Sequence, residues 1–342
     1  MTHRATLTVS GFALLGLVGL LTGCGSYAGT VEDLRFTGDG GITLQASLIK
    51  PEGAGPWPAI VLLSGAELAT RDRMIYRKTG NVFLERGLAV LVYDKRGAGD
   101  SGGDPENTTY AQLVGDAVGA IDLLRQQPEI DSERIGVLGV SESGWLTPEI
   151  NERVGGLAFV INKSGAPLSV RETVAWEVYN DLMADGVEEA SAREQTEVYR
   201  RLWEYRIAPT DAERVALRQT LDQWEHQPDS QLPTEIREVD ADYVADISYD
   251  PTPFLERMTT PTLYLYGTED INIPSAASVV RLDELIADGR PISYHVFPGE
   301  GHELGGFRLS TLGYEFVDGY ADLIGDFAER HTSTSDPTPP RK

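Results

Sequence analysis

One cysteine, Cys24, occurs in 342 residues, so no intrachain disulfide can form, and neither a cysteine-based metal site nor a thiol-disulfide couple is available. Histidine is nearly as scarce, at five positions, so an imidazole base has few possible sources. Positive charge is short as well. Against 53 Asp and Glu stand 29 Lys and Arg, a formal net charge of -24, which repels a phosphate backbone and argues against nucleic-acid binding. No internal repeat is visible. Apolar residues make up 41% of the chain, enough for a substantial core and against wholesale disorder. The length suits one large α/β domain carrying an insertion, or two modest domains.

The position of the lone cysteine explains it. Residues 5–23 form a short apolar segment after Arg4 and end in Leu21-Thr22-Gly23-Cys24, with the small residues a signal peptidase requires at its cut site. This resembles a bacterial lipobox. The resemblance implies a signal peptide over 1–23, Cys24 as the lipidated first residue of the mature protein and 24–30 as a tether. The folded part is then held at a bacterial membrane in the cell envelope. A plain secretory signal or an uncleaved anchor also fits the apolar segment, and both likewise place the folded part outside the cytoplasm.

Residues 31–168 read as alternating strands and helices. A hairpin is expected around Val31–Phe36 and Ile42–Ile49, then strands at Ala59–Leu63, Leu88–Tyr93, Ile135–Val140 and Leu157–Ile161. Their apolar runs have the character of strands buried on both faces. Helices are expected at 75–86 and 110–127. After the second strand pair, Gly97, Gly99 and Gly102 match a dinucleotide-binding fingerprint, but Asp104, Pro105 and Asn107 delay the helix that such a fingerprint must open, so nucleotide binding is rejected. Residues 169–246 change character, with dense charge and apolar residues at helical spacing such as Val170, Val174, Val178 and Leu182. This segment reads as a helical insertion, either a packing element or a cap over a pocket. The α/β pattern resumes over 247–330 with strands at Pro261–Tyr266 and Ile292–Phe297 and helices at 276–287 and 314–328. A tail, 331–342, has nothing to bury.

The chemistry centres on residues 135–146. An apolar strand breaks at Ser141-Glu142-Ser143-Gly144 and continues as a helix, with small Gly139 and Ser143 two positions either side of Ser141. A turn this sharp between strand and helix needs small flanking residues, and it presents the central serine as a nucleophile. A serine hydroxyl is a weak nucleophile at neutral pH and needs a base, which in turn needs an orienting carboxylate. Of the histidines, His3 lies in the signal, His331 in the tail, His226 in the insertion and His295 inside a strand; His302 follows a strand in a loop. After the strand ending at Tyr266, Glu269 and Asp270 both qualify as the acid, with Asp270 preferred. The order Ser141, Asp270, His302 is that of α/β hydrolases. The oxyanion formed in the reaction needs fixed N–H donors. The backbone N–H groups of Glu142, at the helix start, and Ala66, after Gly65, are the candidates.

These motifs resemble the α/β-hydrolase superfamily, close to bacterial serine esterases of the dienelactone-hydrolase-like and prolyl-oligopeptidase-like group. Tyr93-Asp94-Lys95-Arg96-Gly97 with Gly99, Ser101 and Gly102 is similar to that group's strand-exit loop. Asp250–Leu255 leading to Pro261-Thr262-Leu263 is similar to its approach to the acid strand, and Gly267, Asp270 and Pro274 to its acid loop. Two positions depart from the pattern: Ser64 where many relatives have His, and Ser143 in place of a second elbow glycine. The resemblance implies an α/β fold, a mostly parallel doubly wound sheet of about eight strands with a helical cap insertion before the acid strand. It implies a serine hydrolase that cleaves small-molecule esters through an acyl-enzyme, with no metal or organic cofactor. Peptidase or amidase activity and acyl transfer use the same machinery, and an idle fold serving as an envelope-binding lipoprotein is the non-enzymatic alternative. Glu67 and Glu142 are expected to add negative charge at the pocket mouth, favouring neutral or cationic substrates.

Overall fold

The computed structural model describes residues 26–236, 246–308 and 313–333. Cys24 and the signal-peptide reading lie outside the described residues, as do 237–245 of the insertion and 334–342 of the tail. One sheet is built from β1 (Thr30–Thr37), β2 (Thr43–Lys50), β3 (Trp57–Leu63), β4 (Ala89–Tyr93), β5 (Ile130–Val140), β6 (Phe159–Lys163), β7 (Thr262–Gly267) and β8 (Ile292–Phe297). Their spatial order is β1-β2-β4-β3-β5-β6-β7-β8. β2 runs antiparallel to both of its neighbours, and every pairing from β4 to β8 is parallel. A chain this rich in apolar strand runs has to cover both sheet faces with helices.

In chain order the longer helices of the described residues are α1 (Met74–Leu84), α2 (Tyr110–Arg125), α3 (Glu142–Val154), α4 (Val170–Ala184), α5 (Glu189–Ile207), α6 (Asp211–Trp224), α7 (Ser275–Ala287) and α8 (Tyr320–Thr332). Ile60 and Leu62 of β3 and Val90 and Val92 of β4 share one buried cluster with Tyr76 and Phe83 of α1 and Tyr320, Ile324 and Phe327 of α8. Side chains alternate across a strand, so Val61, Leu63 and Leu91, also buried, face the opposite side, where α2 and α3 pack on the sheet. α2 starts at a capping box, Thr109 accepting from the Gln112 N–H while the Gln112 side chain returns to the Thr109 N–H. It begins only at Tyr110 because the chain after β4 first closes a tight loop, held where the Asp94 carboxylate takes the N–H groups of Arg71 at 2.7 Å and Asp100 at 3.0 Å.

The chain divides into two compact units. Gly25–Pro167, Pro251–Asp270 and Ser275–Lys342 supply the sheet-bearing unit, and Leu168–Asp250 with Ile271–Pro274 the helical one. In the helical unit the starts of α4, α5 and α6 are capped by the side chains of Ser169, Glu188 and Thr210. Leu182, Val187 and Ala192 bury together where α4 meets α5. Gln195 is fully buried on α5 and satisfies both ends of its amide on the chain after α6, donating to the Asp229 carbonyl at 3.0 Å and accepting from the Gln231 N–H at 2.7 Å.

Three boundaries differ from the sequence expectation. β5 begins at Ile130, ahead of the apolar run at Ile135, because its first residues pair with Trp57 across a register shift despite the polar Asp131-Ser132-Glu133. A hairpin of β9 (Gly305–Arg308) and β10 (Gly313–Phe316) takes up the start of the helix expected at Tyr314. α8 starts at Tyr320 instead, after Gly319, whose φ of 83° suits glycine. His331 belongs to α8 rather than to the tail, its ring edge-on to Phe327 at 4.6 Å, and burial pulls its pKa below the usual imidazole value.

Candidate active site

Ser141 sits between β5 and α3 with φ 52° and ψ -113°. A non-glycine residue pays for such a backbone only where the surroundings over-determine it, and here they do. A Cβ on Gly139 would lie 2.6 Å from Thr147 Cγ2 and 2.9 Å from the Ser143 carbonyl oxygen, so no larger residue fits there. The Ser143 hydroxyl accepts the Val140 N–H at 2.7 Å and faces the carbonyls of Val140 and Leu63 at 3.1 and 3.3 Å. Serine in place of the second elbow glycine therefore ties the strand end to the helix start. Gly144 touches backbone directly: a Cβ would lie 2.5 Å from the Gly165 Cα. Gly144→Ala accordingly should lower stability by about 1–3 kcal/mol, together with activity, as read by thermal unfolding and ester turnover.

Asp270 and His302 meet. The Asp270 side chain is wholly buried, and its carboxylate oxygens lie 3.0 and 3.1 Å from His302 Nδ1, while the imidazole keeps a fifth of its surface exposed. A carboxylate only accepts, so Nδ1 carries the proton and Nε2 is left as the basic nitrogen. The two loops are stitched together: the Glu269 N–H donates to the Glu300 carbonyl at 2.8 Å, and the Gly299 N–H to the Thr268 hydroxyl at 2.7 Å. Glu269, the other candidate acid, is exposed.

Ser141, Asp270 and His302 follow β5, β7 and β8, three parallel strands in one half of the sheet, so all three lie at its carboxyl edge. The chain leaving β6 links them. The Lys163 carbonyl accepts the Ser141 N–H at 2.9 Å, and the hydroxyl of Ser164, itself at φ 51°, donates to the His302 carbonyl at 2.7 Å. The buried Lys163 ammonium pairs with Glu303 at 3.1 Å and holds that carboxyl below the usual carboxylate range. Tyr314 OH donates to the Glu303 carbonyl at 2.6 Å. Lys163 and Ser164 were not marked by any motif. Only a polar Asn162-Lys163-Ser164 closing an otherwise apolar strand hints at them.

Gly65 lies against the elbow, a Cβ there falling 3.5 Å from Ser141 Cβ, and Ala66 follows it with an exposed surface. The expected negative charge at the pocket mouth needs correction. Glu142 pairs with Lys95 Nζ at 2.6 Å and Glu67 with Arg73 at 2.8 Å, so neither carboxylate stands uncompensated. Sequence spacing could not reveal either pairing, since Lys95 comes from the β4 exit loop.

The chain has relatives among known proteins. The family described as X-Pro dipeptidyl-peptidase (S15 family) matches residues 39–289. The chain belongs to the S15 family. Esterase EstD of Thermotoga maritima is 25% identical over 250 residues, 71% of this chain and 53% of that protein. Thiohydrolase aneE of Aspergillus aculeatus is 34% identical over 116 residues, 34% of this chain and 35% of that protein. The chain thus aligns with only about a third to a half of the length of these relatives. Among solved structures, a Pyrococcus furiosus esterase superposes with a TM-score of 0.58 at 14% identity, over 88% of this chain and 91% of that one. Acetyl xylan esterase 1 of Thermoanaerobacterium gives 0.55 at 18% identity, over 91% and 86%. At such identities the likeness is one of fold, and the fold is that of the α/β hydrolases. This S15 member has the α/β-hydrolase fold.

Proposed function

We propose that the protein hydrolyses carboxylic esters through Ser141, His302 and Asp270. The observation that carries this reading is the buried Asp270 carboxylate bonded to His302 Nδ1 at the same sheet edge as a serine on a strained strand-to-helix turn. Ser141 Oγ attacks the acyl carbonyl carbon while His302 Nε2 takes its proton. The carbonyl oxygen, now negative, is met by the N–H groups of Ala66 and Glu142. The C–O bond to the alcohol breaks as His302 returns the proton to that oxygen, leaving an acyl-serine. Water, deprotonated by His302, then releases the carboxylic acid. Asp270 holds the imidazole in the required tautomer and stabilises its charged form. The esterase names of the Thermotoga relative and the fold neighbours support the choice of ester over amide.

The family description favours one alternative, release of X-Pro dipeptides from a peptide amino end. A dipeptidyl-peptidase has to bind a free ammonium, and the carboxylates flanking the elbow, Glu67 and Glu142, are already paired. The two readings separate on substrates. The ester reading requires p-nitrophenyl esters of short acyl chains to exceed Ala-Pro p-nitroanilide in kcat/KM, and the opposite ranking would assign a peptidase.

The N-terminal motif supports a lipid anchor on Cys24 and a place in the cell envelope. With a radioactive fatty acid fed to expressing cells, the wild type is expected to take up label and Cys24→Ser none. Equal labelling of both would rule the anchor out.

A further inference from the structure

Lys95 is a buried cation with no part in the chemistry described so far. It lies just past β4, 8% exposed, and reaches two groups on two other elements: its Nζ donates to the Gly65 carbonyl at 2.8 Å and to Glu142 Oε2 at 2.6 Å. Gly65 precedes one candidate oxyanion donor, Ala66, and Glu142 at the start of α3 bears the other. We propose that Lys95 is the positioning residue of the oxyanion hole, clamping the Gly65-Ala66 peptide and the start of α3 so that both N–H groups aim at one point. The assignment rests on the ester-hydrolase reading above.

The Gly65 carbonyl and the Ala66 N–H belong to one planar trans unit and point in opposite directions, so fixing the oxygen fixes the direction of the N–H. The Lys95 ammonium fixes the oxygen from the protein interior. The Ala66 N–H is therefore turned away from the interior, on the residue after Gly65, which itself lies against Ser141. Oxyanion donors act by being held in place before the charge forms, and a buried ammonium with two partners holds more firmly than a solvated loop does.

Charge gives a second reason. Glu142 is adjacent to the nucleophile and supplies the other donor through its backbone. Left alone, its carboxylate would oppose the negative charge that develops on the substrate oxygen. Its first-turn position on α3 suits an acid, and Lys95 at 2.6 Å compensates it. One ammonium thus orients one donor peptide and offsets the side chain of the residue bearing the other.

The test uses the full-length protein, short-chain p-nitrophenyl esters and a trifluoromethyl ketone, whose adduct with the serine carries the same oxyanion. Lys95→Met keeps the apolar stem and removes the ammonium. It is expected to lower kcat on the order of 10²-fold, to weaken the ketone by a similar factor, and to leave KM within about threefold. Because the single change leaves the Glu142 carboxylate uncompensated, the double variant Lys95→Met/Glu142→Gln is measured beside it, with folding checked by circular dichroism. A folded variant whose kcat and ketone affinity match the wild type would overturn the proposal, as would one that raises KM alone. Loss of fold in both variants would make Lys95 a structural residue and overturn it too. Fluorophosphonate labelling of wild-type Ser141 is scored separately: its absence defeats the esterase reading itself, whatever Lys95 does.

Discussion

His302→Ala is expected to reduce kcat for a p-nitrophenyl ester on the order of 10⁴- to 10⁶-fold, with KM little changed. Without the imidazole no group at the site can take the Ser141 proton as the C–O bond forms, and none can protonate the departing alcohol. The residual rate would come from the oxyanion donors and substrate binding alone. A local role of this size should not bring unfolding with it. The histidine loop is held through its backbone, by Ser164 on the His302 carbonyl and Tyr314 on the Glu303 carbonyl, and through the Lys163 ion pair. None of these contacts uses the imidazole. Stopped-flow turnover with a matched circular dichroism spectrum checks both halves of the expectation, and a folded variant retaining a tenth or more of its activity would remove His302 from the mechanism.

Asp270→Asn is expected to cost about 10³- to 10⁴-fold in kcat. The substitution preserves shape, so the effect is electronic. An amide can turn its NH2 toward the ring, which makes Nδ1 the acceptor and moves the proton to Nε2, the nitrogen that must accept from Ser141. The imidazolium formed during the reaction also loses its counter-charge in a site where the carboxylate has no solvent exposure. Steady-state kinetics on the folded variant measure the loss. The Glu269→Gln variant is the internal control: Glu269 is exposed and offers its backbone to the loop, so its side-chain change should leave kcat within about twofold.

The sequence carried much of this picture, unevenly and for physical reasons. Strand runs such as Ala59–Leu63 were legible because a strand buried on both faces is almost wholly apolar, and the Ser141 turn because sterics restrict its neighbours to small residues. The early start of β5 is hidden from the sequence, since it rests on the single Trp57–Ile130 pairing and the polar Asp131, Ser132 and Glu133 fall in the register shift that follows. β10 is hidden because it runs on into the amphipathic pattern of α8; in the structure Tyr314 meets Phe316 edge-on at 5.6 Å and Phe316 stacks on Tyr320 at 4.6 Å. At the candidate site the side chains with intrinsic chemistry could be found by type and order. The residues that hold them, Lys95, Lys163 and Ser164, could not, because their roles come from strands brought side by side.

Mass spectrometry after fluorophosphonate treatment asks whether Ser141 is the nucleophile. A single phosphonyl adduct is expected on the peptide containing Ser141 in the wild type, formed in step with loss of ester hydrolysis, and none in Ser141→Ala. An unlabelled Ser141 in folded, ester-hydrolysing protein, or an adduct on a different residue, would contradict that role.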